Sequence, residues 1–236
     1  MNKINSSKVR IEFLKQLNPI TQAQGKVFQT YSEGANLCLN GSAGTGKTYI
    51  GLYLALQDVL DKNTQYNKVV IVRSIVPTRD IGFLPGTEEE KKEAYTLPYK
   101  TIIKDLVEVD DAWNKLINQD ALEFMSTSFI RGITISNAIV LVDEMQNLNF
   151  HELDSVITRL GENCRIILCG DYFQSDFERD KDRAGIKTFL GIIKQMKSFE
   201  IIEFGWEDIV RSGLVRDYIM TKQFMGIDTN GKVQKV

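Results

Sequence analysis

Histidine is almost absent from this chain and cysteine is scarce: His151 stands alone, and Cys38, Cys164 and Cys169 are the three thiols among 236 residues. So few soft ligands exclude a zinc finger, a histidine triad and an ordinary iron-sulfur cluster. The odd number of thiols, two of them inside apolar runs, argues for reduced cysteines and a cytoplasmic setting. An excess of positive charge is missing too. Against 31 acidic residues stand 29 basic ones, a formal net charge of -2, so a polyanionic partner has to be held locally. Long hydrophobic runs are also lacking. The apolar stretch 138–142 is far too short to span a bilayer, and residues 1–10 are polar with no apolar signal-peptide core, which argues against secretion and against a membrane partner. All four prolines (Pro19, Pro77, Pro85, Pro98) fall early in the chain and no proline-rich or Ser/Gly-rich linker follows. The expectation is therefore one domain over residues 1–225 and a C-terminal tail over 226–236.

What is present is a core-forming 43% of apolar residues, arranged in short runs. Residues 36–40, 68–73, 138–143, 164–170 and 199–204 read as strands, most of them rich in β-branched side chains. Residues 47–60, 151–160, 185–196 and 214–224 show helical spacing, with Leu52, Leu56 and Val59 on one stripe of the first. Apolar strands alternating with helices predict an α/β fold, a mostly parallel sheet flanked by helices. Residues 77–127 break the alternation with turn signals (Gly82, Pro85, Gly86), a charge run over 88–93 and helical pattern over 98–117. They read as an insertion of loop and helix outside the core sheet, and the charge run as a solvated helix face.

Directly after the first strand comes Gly41-Ser42-Ala43-Gly44-Thr45-Gly46-Lys47-Thr48, which fits G-x-x-x-x-G-K-[ST] and leads into an amphipathic helix. Glycines let the backbone turn so that successive N–H groups face phosphate oxygens. The helix N-terminus adds positive potential, Lys47 is suited to reach the β- and γ-phosphates, and the Thr48 hydroxyl to ligate Mg²⁺. The strand Ile139-Val140-Leu141-Val142 ends in Asp143-Glu144. Asp143 is the candidate Mg²⁺ holder and Glu144 the candidate general base for an attacking water, a pairing that favours hydrolysis over transfer to another hydroxyl. Gln174, in the polar turn after the strand 164–170, is placed either to sense the γ-phosphate or to stabilise the turn. Gln24 reads either as an amide for the adenine edge or as a solvent-facing glutamine.

With the phosphate loop, Asp143-Glu144-Met145-Gln146-Asn147 and Gly170-Asp171-Tyr172-Phe173-Gln174 in register, the chain resembles the PhoH-like protein family, P-loop ATPases related to superfamily 1 helicases. Phe129-Ile130-Arg131-Gly132, Thr158-Arg159-Leu160-Gly161 and Asp208-Ile209-Val210-Arg211-Ser212-Gly213 strengthen the resemblance, which covers residues 19–219. It implies a RecA-like P-loop NTPase fold, ATP hydrolysis with ATP and Mg²⁺ as ligands, and homo-oligomeric, hexameric rings. It also implies Arg211 as the arginine that stabilises transferring phosphate, with Arg159 second, and RNA or single-stranded DNA as partner through Arg73 and Arg79. The chain departs from the family pattern at Ser74, Ile133 and Ser212, and Ile133 removes a positive charge from its loop. The reading is a Mg²⁺-dependent, ring-forming ATPase coupled to RNA or single-stranded DNA; the alternative is a nucleotide-gated scaffold acting on a protein partner.

Overall fold

The apolar runs are strands because they bury both faces. In the computed structural model, which describes residues 3–4, 6–74, 88–171, 180–225 and 227 and their side chains except those of 88–92, 180–184 and 223, six strands are present. They are β1 (Asn36–Gly41), β2 (Lys68–Arg73), β3 (Leu122–Ser126), β4 (Ala138–Val142), β5 (Cys164–Gly170) and β6 (Phe199–Phe204). All pair in parallel, in the order β3-β2-β4-β5-β1-β6. Every residue of the central β4 is buried, whereas the edge strand β3 alternates between buried and partly exposed positions and the edge strand β6 mixes buried with exposed ones.

Helices cover both faces: α1 (Gln22–Ser32), α2 (Lys47–Leu60), α3 (Glu88–Leu106), α4 (Ala112–Asn118), α5 (Thr127–Ile130), α6 (Phe150–Thr158), α7 (Asp180–Ile193) and α8 (Gly213–Phe224). The two-residue period of the strands sorts the core into two layers. Leu37, Leu39, Val69, Ile71, Ile139 and Leu141 face the layer shared with α1 to α4. Cys38, Val70, Val72, Val140 and Val142 face the layer shared with α6 and α7. Among the described residues no helix is long and apolar enough to cross a membrane.

The α/β expectation holds, with a RecA-like order in which β5 separates the strand before the phosphate loop from the strand ending at Asp143. Several elements differ from the expectation. The helical pattern over 98–117 divides into α3, which begins at Glu88 and carries Pro98 inside it, and α4 from Ala112, while α5 is not anticipated. The interval 77–127 is not wholly outside the sheet: its last residues form β3, which pairs with β2 from Val69↔Leu122 to Arg73↔Ser126. The helix α1, which the sequence reading leaves unassigned, packs ahead of β1, capped by the Thr21 hydroxyl accepting from Gln24 N–H. Because the strands are parallel, the C-terminal ends of β1, β2, β4 and β5 emerge along one edge, the position where such sheets bind ligands. The tail 226–236 lies outside the described residues apart from Ile227.

Candidate functional site

The loop after β1 takes its shape from three glycines with positive φ: Gly41 (127°), Gly44 (76°) and Gly46 (85°). A Cβ at Gly41 would run into the Phe204 carbonyl, and one at Gly44 would sit 2.9 Å from Cγ of Arg211. No side chain fits at Gly41, and at Gly44 the positive φ and the nearby Arg211 side chain both disfavour one. Backbone bonds brace the loop from β6 and the segment beyond it: Ser42 N–H donates to Phe204 O at 3.1 Å and Val210 N–H to Gly44 O at 3.0 Å. Asp208, 3% exposed, fixes that segment by accepting from Gly205 N–H at 3.0 Å and Ala23 N–H at 3.4 Å. The Asp208–Arg211 stretch is thus the outer brace of the phosphate loop, a role that its sequence alone does not announce.

Lys47 opens α2 and folds into the loop. Its ammonium donates to Gly41 O and Ser42 O, both at 2.7 Å, and to Thr45 Oγ1 at 3.3 Å. Burial pushes the ammonium pKa down, while Asp171, Glu144 and Asp143 act in the opposite sense. Thr48 Oγ1 donates to Asp143 Oδ1 at 2.7 Å, and Tyr99 OH to Asp143 Oδ2 at 2.8 Å. Glu144 adopts a left-handed backbone, φ 52°, uncommon for a residue with a Cβ. Burial first, and then the neighbouring Asp143 charge, raise its carboxyl pKa. Gln146 holds it in place: Nε2 donates to Glu144 Oε2 at 2.5 Å while Oε1 accepts from Asp171 N–H at 3.0 Å.

These groups line one open cavity of about 770 Å³ that includes Ala43, Gly44, Gly46, Lys47, Thr48, Asp143, Glu144, Asp171 and Arg211. The cavity continues along α3 past Pro98, Tyr99, Ile102 and Asp105. Of the residues the sequence reading sets on one catalytic edge, Lys47, Thr48, Asp143 and Glu144 share one space within a single chain, and Arg211 lines it with them. Arg159, at the C-terminal end of α6, does not line it. Arg73, expected to reach a nucleic acid, lines the cavity itself. Burial disfavours its charge, but Tyr99, Asp143 and Glu144 more than offset this and raise its pKa; its guanidinium lies 5.7 Å above the Tyr95 ring. Gln24, expected either at an adenine edge or in solvent, is 4% exposed. Its Nε2 donates to Thr45 O at 3.2 Å and its Oε1 accepts from Ile20 N–H at 2.9 Å, so both ends of the amide support the loop. Gln174 and Arg79 lie outside the described residues. The sequence reading missed Tyr99 and the roles of Asp208 and Gln146 as braces; Gln146 lies in the motif of the paired carboxylates and Asp208 opens the Arg211 motif, whereas Tyr99 lies in neither.

The donor set suits a hard cation. Thr48 and Asp143 offer hydroxyl and carboxylate oxygens, the ligand chemistry of Mg²⁺, and the glycine-lined turn gives backbone room for phosphate. Among the described residues no group of three or more His, Cys, Asp or Glu side chains is placed to hold a metal ion.

Comparison with known proteins matches residues 16–222 to the family described as PhoH-like protein. Protein PhoH of Escherichia coli is 32% identical over 176 residues, 74% of this chain and 49% of that protein. A PhoH-like protein of Bacillus subtilis is 32% identical over 184 residues, 76% of this chain and 55% of that one. The chain spans about half the length of the curated relatives it matches. Among solved structures, the helicase domain of Pyrococcus furiosus Hef superposes with a TM-score of 0.46 at 12% identity, over 80% of this chain and 39% of that one. The family match spans most of the chain and includes the phosphate loop, the paired carboxylates and the Arg211 segment, so this chain belongs to the PhoH-like protein family.

Proposed function

We propose that this chain is a Mg²⁺-dependent ATPase whose hydrolysis is coupled, in a ring of like subunits, to RNA or single-stranded DNA. The observation that carries the ATPase reading is the convergence of Lys47, Thr48, Asp143, Glu144 and Arg211 on one cavity behind a glycine-shaped loop. In this reading the loop N–H groups and Lys47 hold the nucleotide phosphates, and Thr48 and Asp143 hold Mg²⁺. When bound, the ion neutralises charge on the β- and γ-phosphate oxygens. Glu144, oriented by Gln146, takes a proton from the water that attacks the γ-phosphorus as the bond to ADP breaks. Arg211 sits at the mouth of the cavity, where its charge offsets that of the transferring phosphoryl group.

Coupling to nucleic acid rests on the family and on Arg79 more than on Arg73, whose guanidinium is engaged in the cavity. Ring assembly is supported by apolar side chains that α8 leaves exposed, Leu214 at 83% and Phe224 at 82%. The same exposed helix beside the phosphate loop favours, as a second reading, a nucleotide-gated contact with another protein.

Phosphate release tests the catalytic assignment. Lys47→Ala abolishes nucleotide binding and turnover, whereas Glu144→Gln keeps binding and loses about 10²- to 10⁴-fold in kcat. Unchanged phosphate release in both variants overturns the ATPase reading. Stimulation of turnover by RNA, falling steeply with added salt, tests the coupling; no stimulation at low salt contradicts it.

A further inference from the structure

Asp143 has two carboxylate oxygens, and the structure divides them between two hydroxyls from opposite sides. Thr48, on α2, donates to Oδ1 at 2.7 Å; Tyr99, on α3, donates to Oδ2 at 2.8 Å. Tyr99 is 0% exposed. Its ring packs against Phe124 of β3 with centroids 5.9 Å apart, so the phenol cannot swing away without opening the layer between α3 and the sheet. Arg73, the last residue of β2, lines the same cavity as Tyr99, with its guanidinium 5.7 Å above the Tyr95 ring one turn earlier on α3. Thr48 and the phenol thus give each carboxylate oxygen of Asp143 its own directional donor.

The chemistry of this arrangement is specific. A carboxylate held at one oxygen only can turn about its Cβ–Cγ bond, and two cations, Arg73 and Lys47, lie close enough to affect its surroundings. A neutral donor at Oδ2 fixes the plane of the carboxylate and leaves the negative charge available on the side facing Thr48. The residue is far from the phosphate loop in sequence and belongs to neither motif.

We propose that Tyr99 is a positioning residue that sets the Asp143 carboxylate for Mg²⁺. The inference rests on the reading of Asp143 as the Mg²⁺ holder. Partners that orient a metal-binding carboxylate commonly change metal affinity by 10- to 100-fold when removed.

The test uses the full chain, a fluorescent N-methylanthraniloyl-ADP as probe, and two variants. Tyr99→Phe removes only the hydroxyl and keeps the ring in the core. Tyr95→Phe, one turn earlier on α3, is the control. Nucleotide affinity is measured in EDTA and then across a Mg²⁺ titration, with the melting temperature of each unligated protein as a check on folding. In EDTA the parent and Tyr99→Phe bind the probe with equal affinity, because the hydroxyl does not touch the phosphate loop. The Mg²⁺ concentration for half-maximal effect then rises about 10-fold in Tyr99→Phe and stays at the parent value in Tyr95→Phe. Equal half-saturation in the parent and Tyr99→Phe overturns the positioning role while leaving the nucleotide site intact. So does a parallel loss of affinity with and without Mg²⁺, which marks a purely structural role, or an equal Mg²⁺ shift in Tyr95→Phe. Failure of the parent itself to bind the probe overturns the nucleotide-site reading and this inference together.

Discussion

At the scale of single residues, the position of Arg211 separates two ways of supplying an arginine to a phosphoryl group. An arginine that acts across a subunit boundary has no reason to sit beside its own phosphate loop, yet the Val210 N–H bond to Gly44 O brings Arg211 to the loop of its own chain. Under the proposed function, Arg211 therefore serves the site of its own subunit. Mixing Lys47→Ala chains with Arg211→Ala chains is expected to leave phosphate release at the level of the two variants alone, about 10²-fold or more below the parent. Recovery of turnover in the mixture would show that Arg211 serves a neighbouring subunit. Residue by residue, the site was legible where chemistry is contiguous. Lys47 and Thr48 follow the glycines that shape the loop, and Glu144 follows Asp143. Tyr99 was not legible, because it acts through a contact with a distant segment and nothing in its immediate neighbours sets it apart from an ordinary core residue; Asp208 lay in a quoted motif, but its brace to Ala23 shows only in the fold.

At the scale of elements, the sheet edge is held rigid by a brace far from the chemistry. Arg165, at the start of β5 and 9% exposed, stacks 3.9 Å from the Tyr31 ring centroid, donates to the Tyr31 carbonyl, and pairs with Asp58 Oδ2 at 3.3 Å. It thereby ties the ends of α1 and α2 to the strand between the two halves of the site. Arg165→Ala leaves Asp58 with the Tyr31 hydroxyl but no cation and removes the stack, so it should cost about 2 kcal/mol of stability, read as a lower urea midpoint. Nucleotide affinity at a temperature where the variant stays folded should match the parent; a large affinity loss there would place Arg165 in the site rather than in the frame. Elements with strong periodicity were legible: α2 begins and ends at the residues its apolar stripe indicates, and five strands follow their apolar runs. The helix α1 was not, since its sequence is mostly polar, carries Gly25 and buries Gln24 and Thr30 among its inward residues. Strand β3 was missed because an edge strand with Glu123 on its open side resembles loop, and only pairing with β2 reveals it.

At the scale of the whole molecule, the near-neutral charge fits a site that depends on local geometry. A formal charge of -2 provides no long-range attraction for a polyanion, but a phosphate loop with an internal lysine needs none. The same scarcity of His and Cys that excludes zinc and iron-sulfur chemistry leaves oxygen ligands, which are the ones Mg²⁺ prefers. The fold follows from these constraints as a set: buried parallel strands require helices on both faces, and their common C-terminal edge brings the loop, the paired carboxylates and Arg211 into one cavity. The most direct test of that convergence is calorimetric titration of Mg²⁺-ATP into Glu144→Gln, with the Lys47→Ala, Glu144→Gln double variant as reference. The account predicts saturable binding at a single site per chain in Glu144→Gln and its loss in the double variant. Equal binding in the two, or no binding in Glu144→Gln, would contradict it.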